Sequence, residues 1–302
     1  MLRHVSFDAS ARRFVLTCVL ALCAILALSA CQRDVLKVDS GEKPAPQVVE
    51  AAPAPQEPIS DEEAALKEVE NSTVDDSAFR AETVPAMALV LAMSWQPGFC
   101  ETRPKKSECQ SQTADRYDAN HFTLHGLWPQ PRSKVYCGVS KTNVSRDKNG
   151  NWLDLPAVQT SVATKARLDR IMPGTRSSLD RHEWIKHGTC YSRTAETYYR
   201  DSLALMDKIN TSAVQRLFSA NIGQTLNANQ IRAAFDDSFG RGTGERVRVA
   251  CKRDGNRLLI TELTLGLNGV VGADPDIGRL ASRSRPISAG CPGGIVDPVG
   301  LQ

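Results

Sequence analysis

Histidine is scarce in this chain of 302 residues: there are five, His4, His121, His125, His182 and His187. Apolar runs are scarce too. Residues 14–28 form one of fifteen residues, short of the roughly 20 that a helix needs to cross a bilayer comfortably. No internal repeat is visible, which excludes a solenoid. Aromatic residues are almost absent from residues 32–84, so a packed core is excluded there. The stretch Gly240-Arg241-Gly242-Thr243-Gly244 has no strand pattern before it and no helix pattern after it. It is therefore read as a flexible turn, not a phosphate-binding loop.

What is present divides into three parts. Residues 1–30 read as an export signal, with Arg3, Arg12 and Arg13 ahead of the apolar run. The run ends in Leu28-Ser29-Ala30-Cys31, which resembles a bacterial lipoprotein signal with Cys31 as the lipidated residue. Cleavage after Ala30 to give a soluble secreted protein is the alternative. Cysteine arithmetic favours the anchor: once Cys18 and Cys23 leave with the signal, seven cysteines remain and lipidation accounts for the odd one. Gln32 after that cysteine fits the outer membrane by analogy with lipoproteins. Residues 31–84 are expected to be a tether, rich in Pro and Ala, with 5 Lys and Arg against 13 Asp and Glu. Residues 61–70 within it have a short helical pattern.

Residues 85–302 are expected to form one domain with its own core. This part carries 29 Lys and Arg against 20 Asp and Glu, a basic surface suited to a polyanionic partner. Residues 86–95 read as a buried strand and residues 101–118 as polar surface. Residues 122–124 read as a short strand leading into His125, and 130–150 as a long polar loop. Helices are expected over 157–171, 194–209, 211–220 and 227–238, with Leu203, Leu205, Met206, Ile209, Val214, Leu217 and Phe218 in the core. Residues 247–251 and 258–267 read as antiparallel strands, and the tail as irregular.

The chemistry concentrates in His182-Glu183-Trp184-Ile185-Lys186-His187-Gly188-Thr189-Cys190. On a helix His182 shares a face with Lys186, and Glu183 with His187. Gly188 is expected to end that helix, and Cys190 to pin its end. Two histidines from separate segments, here and at His125, suit a general acid and a general base. A zinc site fits poorly, because His182 and His187 are five apart rather than four and Lys186 lies beside them. An exposed polar helix leaves Trp184, Gly188 and Cys190 without a reason. In the first motif Gly126 is expected to admit a neighbouring backbone, and Trp128 to wall the site or pack in the core. His121 reads as a satisfied surface histidine.

Phe122-Thr123-Leu124-His125-Gly126-Leu127-Trp128-Pro129 and the segment from His182 to Cys190 together resemble the two active-site signatures of the ribonuclease T2 family. The resemblance covers about residues 85–302. It implies an α+β fold with a central antiparallel sheet flanked by helices and braced by disulfides. It pairs Cys137 with Cys190 and Cys251 with Cys291, leaving Cys100 for Cys109, its near neighbour in sequence. It implies a metal-independent endoribonuclease, with no cofactor, that cleaves single-stranded RNA through a 2′,3′-cyclic phosphate to 3′-phosphate ends. In that scheme His187 is the base and His125 the acid, and Lys186 and Glu183 face the phosphorane. His182 binds phosphate as a cation, and Trp128 supports the base. Gln130 stands where some members carry an acidic residue that selects adenine, so broad base specificity is expected. The expected partners are RNA and, through Cys31, a bacterial membrane on its periplasmic face; the protein is expected to be a monomer. The alternatives are a metal-dependent hydrolase, a general phosphodiesterase, and a non-catalytic RNA- or anion-binding lipoprotein of the same fold.

Overall fold

The computed structural model describes residues 82–302. The signal segment, Cys31, the helical pattern over 61–70 and the tether up to residue 81 lie outside the described residues. In chain order the elements are β1 (Met87–Trp95), α1 (Gln96–Glu101), α2 (Ser107–Gln110), β2 (Phe122–Pro129), α3 (Lys141–Lys148), α4 (Val162–Ile171), α5 (Leu179–Lys186), α6 (Ala195–Asn210), α7 (Ala213–Ser219), β3 (Thr225–Asn227), α8 (Ala228–Phe239), β4 (Val247–Asp254), β5 (Arg257–Gly269), α9 (Ile277–Ser282) and β6 (Gly293–Ile295).

The strands form one sheet in the order β2–β1–β5–β6–β3, with β4 also paired to β5. Pairing is antiparallel except where β5 and β6 meet in parallel at Leu259 and Ile295. This is the expected α+β architecture with a mixed corner. Strand β1 is apolar almost throughout because it has a neighbour on each edge and is covered, so little of it meets water.

The sheet register skips twice. Ala92 pairs with Gly126 and the next β1 residue, Met93, with Leu124, which leaves His125 as the extra residue of a bulge. Ala250 pairs with Glu262 and Cys251 with Ile260, which leaves Thr261 extra on β5. A bulge re-aims the side chains around it.

Helix α6 clamps β2 from outside the sheet. The Tyr198 hydroxyl accepts from the Leu127 amide and donates to the Leu127 carbonyl, each at 3.1 Å. The Asn210 side chain bonds both the amide and the carbonyl of Phe122 at 2.9 Å. Trp95, Phe122 and Phe218 pack ring against ring beneath this end of the strand. The apolar residues expected in the core from α6 and α7 are buried, with Leu217 only partly so. Three disulfides join Cys100 to Cys109, Cys137 to Cys190 and Cys251 to Cys291.

Several expectations need correction. The loop over 130–150 contains helix α3, capped by the Ser140 hydroxyl on the Asn143 amide. Helix α4 begins at Val162, not 157, because Ser161 caps it while buried Glu196 holds the Ser161 amide and hydroxyl. The segment 101–118 is not all surface: it holds α2, and Glu108 and Asp118 are buried. The tail contains α9 and β6. The first motif does not follow a short strand; β2 runs through it as far as Pro129.

Candidate active site

His125 is set by the β2 bulge, in the middle of a strand rather than at its end. Gly126 beside it is required by a close approach. A Cβ there would stand 2.0 Å from Glu183 Oε2 and 2.6 Å from Trp128 Nε1. The neighbour it admits is thus a carboxylate and an indole, not the backbone expected from the sequence. Trp128 is half-buried, and its Nε1 donates to Glu183 Oε2 at 2.8 Å. Its ring lies 5.2 Å from that of His125 and 5.6 Å from that of His187. Both histidines therefore flank one indole, which walls the site and also anchors its acid.

Helix α5 brings the second motif. It ends at Lys186, and His187 is its C-cap residue, with its amide on the Glu183 carbonyl. The helix thus ends two residues before Gly188. Gly188 serves packing instead: a Cβ there would meet the Trp184 and Tyr198 rings at 2.3 and 3.0 Å. Glu183 is the buried centre of the motif, its side chain 1% exposed. Its Oε1 stands 3.7 Å from His125 Nε2 and 3.8 Å from His182 Nε2. The disulfide from Cys190 to Cys137 ties the turn after His187 to the segment before α3.

Two further carboxylates complete a chain of alternating acids and imidazoles. Asp147 on α3 is buried, and its Oδ1 is 2.7 Å from His182 Nδ1. Tyr136 donates to the other Asp147 oxygen, and Trp152 stacks on the His182 ring at 4.3 Å. Glu262 on β5 has its Oε2 2.6 Å from His125 Nδ1. The order across the site is Asp147, His182, Glu183, His125, Glu262. His187 stands outside it, and its Nδ1 is buried without a hydrogen-bond partner.

Charge follows from these contacts. Burial disfavours a protonated His125, but the Glu262 hydrogen bond and the charges of Glu183 and Glu262 outweigh burial and the opposing Lys186, so its pKa lies above the ordinary value. His187 is pushed the other way, down to about 3, by burial first and then by Lys186, His182 and His125. Burial raises the Glu183 carboxyl, against the pull of His125, His182, the Trp128 indole and Lys186. The two imidazoles are thus pushed in opposite directions: their surroundings favour a proton on His125 and disfavour one on His187.

The structure brings together His125, Glu183, His182, His187 and Trp128, and Lys186 is near enough to act on the charge of His125, Glu183 and His187. Gln130 turns its amide back onto the Trp128 carbonyl at 3.2 Å. His121 bonds the Tyr117 carbonyl and stacks on that ring, away from this group. Sequence reasoning missed Glu262, Asp147 and Trp152. Glu262 left a signal as the lone charge in the apolar run 258–267. Asp147 left none among the charges of its polar segment. A cavity of about 330 Å³ opens beside His125 and Glu262, with Phe99, Trp152, Lys106 and Lys252 also in its wall; His187 does not line it. Among the described residues, no group of three or more His, Cys, Asp or Glu is arranged to hold a metal ion.

Comparison with known proteins matches the Ribonuclease T2 family model to residues 86–271. Ribonuclease I of Escherichia coli is 31% identical over 199 residues, covering 59% of this chain and 74% of that protein. Ribonuclease 1 of Arabidopsis thaliana is 27% identical, covering 54% of this chain and 66% of that one. Among solved structures, an RNase MC1 mutant in complex with 5′-UMP matches at 16% identity with a TM-score of 0.46, covering 70% of this chain and 100% of that one. Human RNase T2 matches at 21% identity with a TM-score of 0.43, covering 70% and 98%. A family match over more than half the chain, spanning both histidine motifs, has one reading: the chain belongs to the ribonuclease T2 family.

Proposed function

We propose that residues 85–302 are an endoribonuclease that cleaves single-stranded RNA without a metal or cofactor, through a 2′,3′-cyclic phosphate to 3′-phosphate ends. The observation that carries this reading is the placing of two histidines against one indole, His125 between two carboxylates and His187 with a buried, unpartnered nitrogen, which pushes their pKa values apart. Paired groups whose surroundings separate their pKa values identify the acid and the base.

RNA supplies its own nucleophile. His187, neutral, takes the proton of the 2′-hydroxyl. The 2′-oxygen attacks phosphorus, and the bond to the 5′-oxygen breaks as His125 delivers its proton there. Water later opens the cyclic ester with the two roles exchanged. Each proton transfer is worth roughly a hundred- to ten-thousandfold. Lys186 stabilises the phosphorane by charge. Glu183 repels a phosphate, so its part is to orient the two imidazoles it stands between and to hold Trp128. His182, braced by Asp147, contacts the phosphate. Trp128 supports the base at the cleavage site. Gln130 offers an amide there, which can donate or accept, so base preference is broad. The cavity beside His125 lies on the acid's side and suits the leaving nucleoside.

The test is digestion of a defined RNA in excess chelator with the ends identified. New 2′,3′-cyclic phosphate ends are the expected result; loss of activity with chelator or ends of another kind would overturn the scheme. Cleavage of the four homopolymers at similar rates supports broad specificity, and a strict need for one base removes it. A non-catalytic RNA binder of the same fold is not favoured, since binding gives no reason for an unpartnered neutral His187 opposite a protonated His125.

The same reading makes the protein an exported monomer held to a bacterial membrane by a lipid on Cys31, facing the periplasm, with residues 31–84 as the tether. Cys31→Ala should move the activity from the membrane fraction to the soluble one. Retention in the membrane fraction would refute the anchor.

A further inference from the structure

No step of the proposed reaction asks for Glu262, yet it makes the tightest contact in the site. It stands alone as a charge in the run 258–267, on the longest strand of the sheet. Its partner His125 is not on a neighbouring strand: β1 lies between β2 and β5. Adjacent strands are about 4.8 Å apart, so residues flanking a third strand start roughly 10 Å apart at the backbone. Both bulges fall where this gap has to be closed. On β2 the extra residue is His125 itself, and on β5 it is Thr261, next to Glu262. The β1 residue in register with Glu262 is Ser94, a small side chain over which the two can meet. Ser94, His125 and Glu262 all line the same cavity.

We propose that Glu262 is the positioning residue of the general acid: it fixes the proton on His125 Nδ1 and aims Nε2 at the departing 5′-oxygen. This rests on the ribonuclease reading above. The charges that face His125 come from three sides. Glu183, Lys186 and His187 come from α5 and its cap, Glu262 comes from β5, and Arg103, Lys106, Glu108 and Lys252 line the cavity wall. Glu183 is shared with His182 and stands 3.7 Å away. Without Glu262 only Glu183 is left to oppose burial and Lys186, so His125 holds its proton less firmly and its ring loses the contact that aims it.

The experiment is Glu262→Gln in the full chain, a change that keeps size and removes charge. The alkaline limb of the kcat profile should move down by about one pH unit, and kcat near pH 7.5 should fall about 10- to 100-fold with KM changed no more than about twofold. Glu262→Asp should recover part of the loss. An unmoved alkaline limb, or a loss confined to KM, overturns the proposal. A second measurement needs no RNA and leaves Glu262 in place. In the wild-type protein the Nδ1 proton of His125, assigned by its loss in His125→Asn, should give a far-downfield resonance at neutral pH; its absence also overturns the proposal. If the wild type cleaves no RNA, the ribonuclease reading fails, while this resonance still decides whether Glu262 holds His125.

Discussion

His125 and His187 flank the same indole, and their surroundings differ in kind. His125 lies on a sheet, between two carboxylates. His187 caps a helix, next to a lysine and two other imidazoles, with a buried nitrogen that bonds to nothing. The side chains are identical, so the difference in their proposed roles comes from the neighbours alone. A carboxylate in hydrogen-bond contact favours the protonated form of one, and burial among cations favours the neutral form of the other. In the proposed reaction, acid and base are set by the shell around each ring.

Removing either ring breaks the comparison outright. His187→Ala and His125→Ala should each lower kcat about a thousandfold or more, read from initial rates on a short RNA. A His187→Ala enzyme as fast as wild type ends the scheme.

Lys186→Met should cost about 100- to 1,000-fold in kcat through the phosphorane. It should also sharpen the comparison, because Lys186 lowers the pKa of both histidines. Without it both limbs of the rate–pH profile move to higher pH. A loss of rate with neither limb displaced would mean that Lys186 does not sense the two rings.

In the wild type the base must be neutral and the acid protonated. Cleavage should therefore fall as pH drops towards about 3 and as it rises through the elevated pKa of His125. Opening the cyclic phosphate needs the reverse states, a protonated His187 and a neutral His125. At neutral pH that second step should lag cleavage by about tenfold or more, so 2′,3′-cyclic ends accumulate before 3′-phosphates appear. Equal rates for the two steps would show that the rings are not held apart in charge.

Trp128→Phe keeps a ring between the histidines and removes the hydrogen bond to Glu183. A charged acceptor loses about 1.5–3 kcal/mol of hydrogen bonding. Because Glu183 keeps two imidazoles nearby, the effect should be the smallest of the set, about tenfold or less in kcat. A loss as large as that of Lys186→Met would give the indole a direct part in stabilising charge.

Much of the fold could be read from pattern. Strand β1, helices α6 to α8 and the β4–β5 hairpin follow from local periodicity and lie close to their expected limits. Elements made by distant contacts could not be read. Helix α3 is a polar eight-residue piece with almost no apolar face; it docks through Asp147, whose partners are His182 and Tyr136. The start of α4 depends on Glu196, thirty-five residues further on. Strand β6 is three residues long and is defined by its pairing with β3 and β5.

By itself the sequence determined which groups are the candidates for the chemistry: two compact motifs with His125, His182, Glu183, Lys186 and His187, since residue type and short spacing are local properties. Only the tertiary structure decided which histidine is biased towards holding a proton. That bias depends on Glu262, 137 residues from His125, and on a one-residue slip in a strand's register. A pKa is set by charge and burial within a few ångströms, and such neighbours are assembled by the sheet rather than by the chain's order.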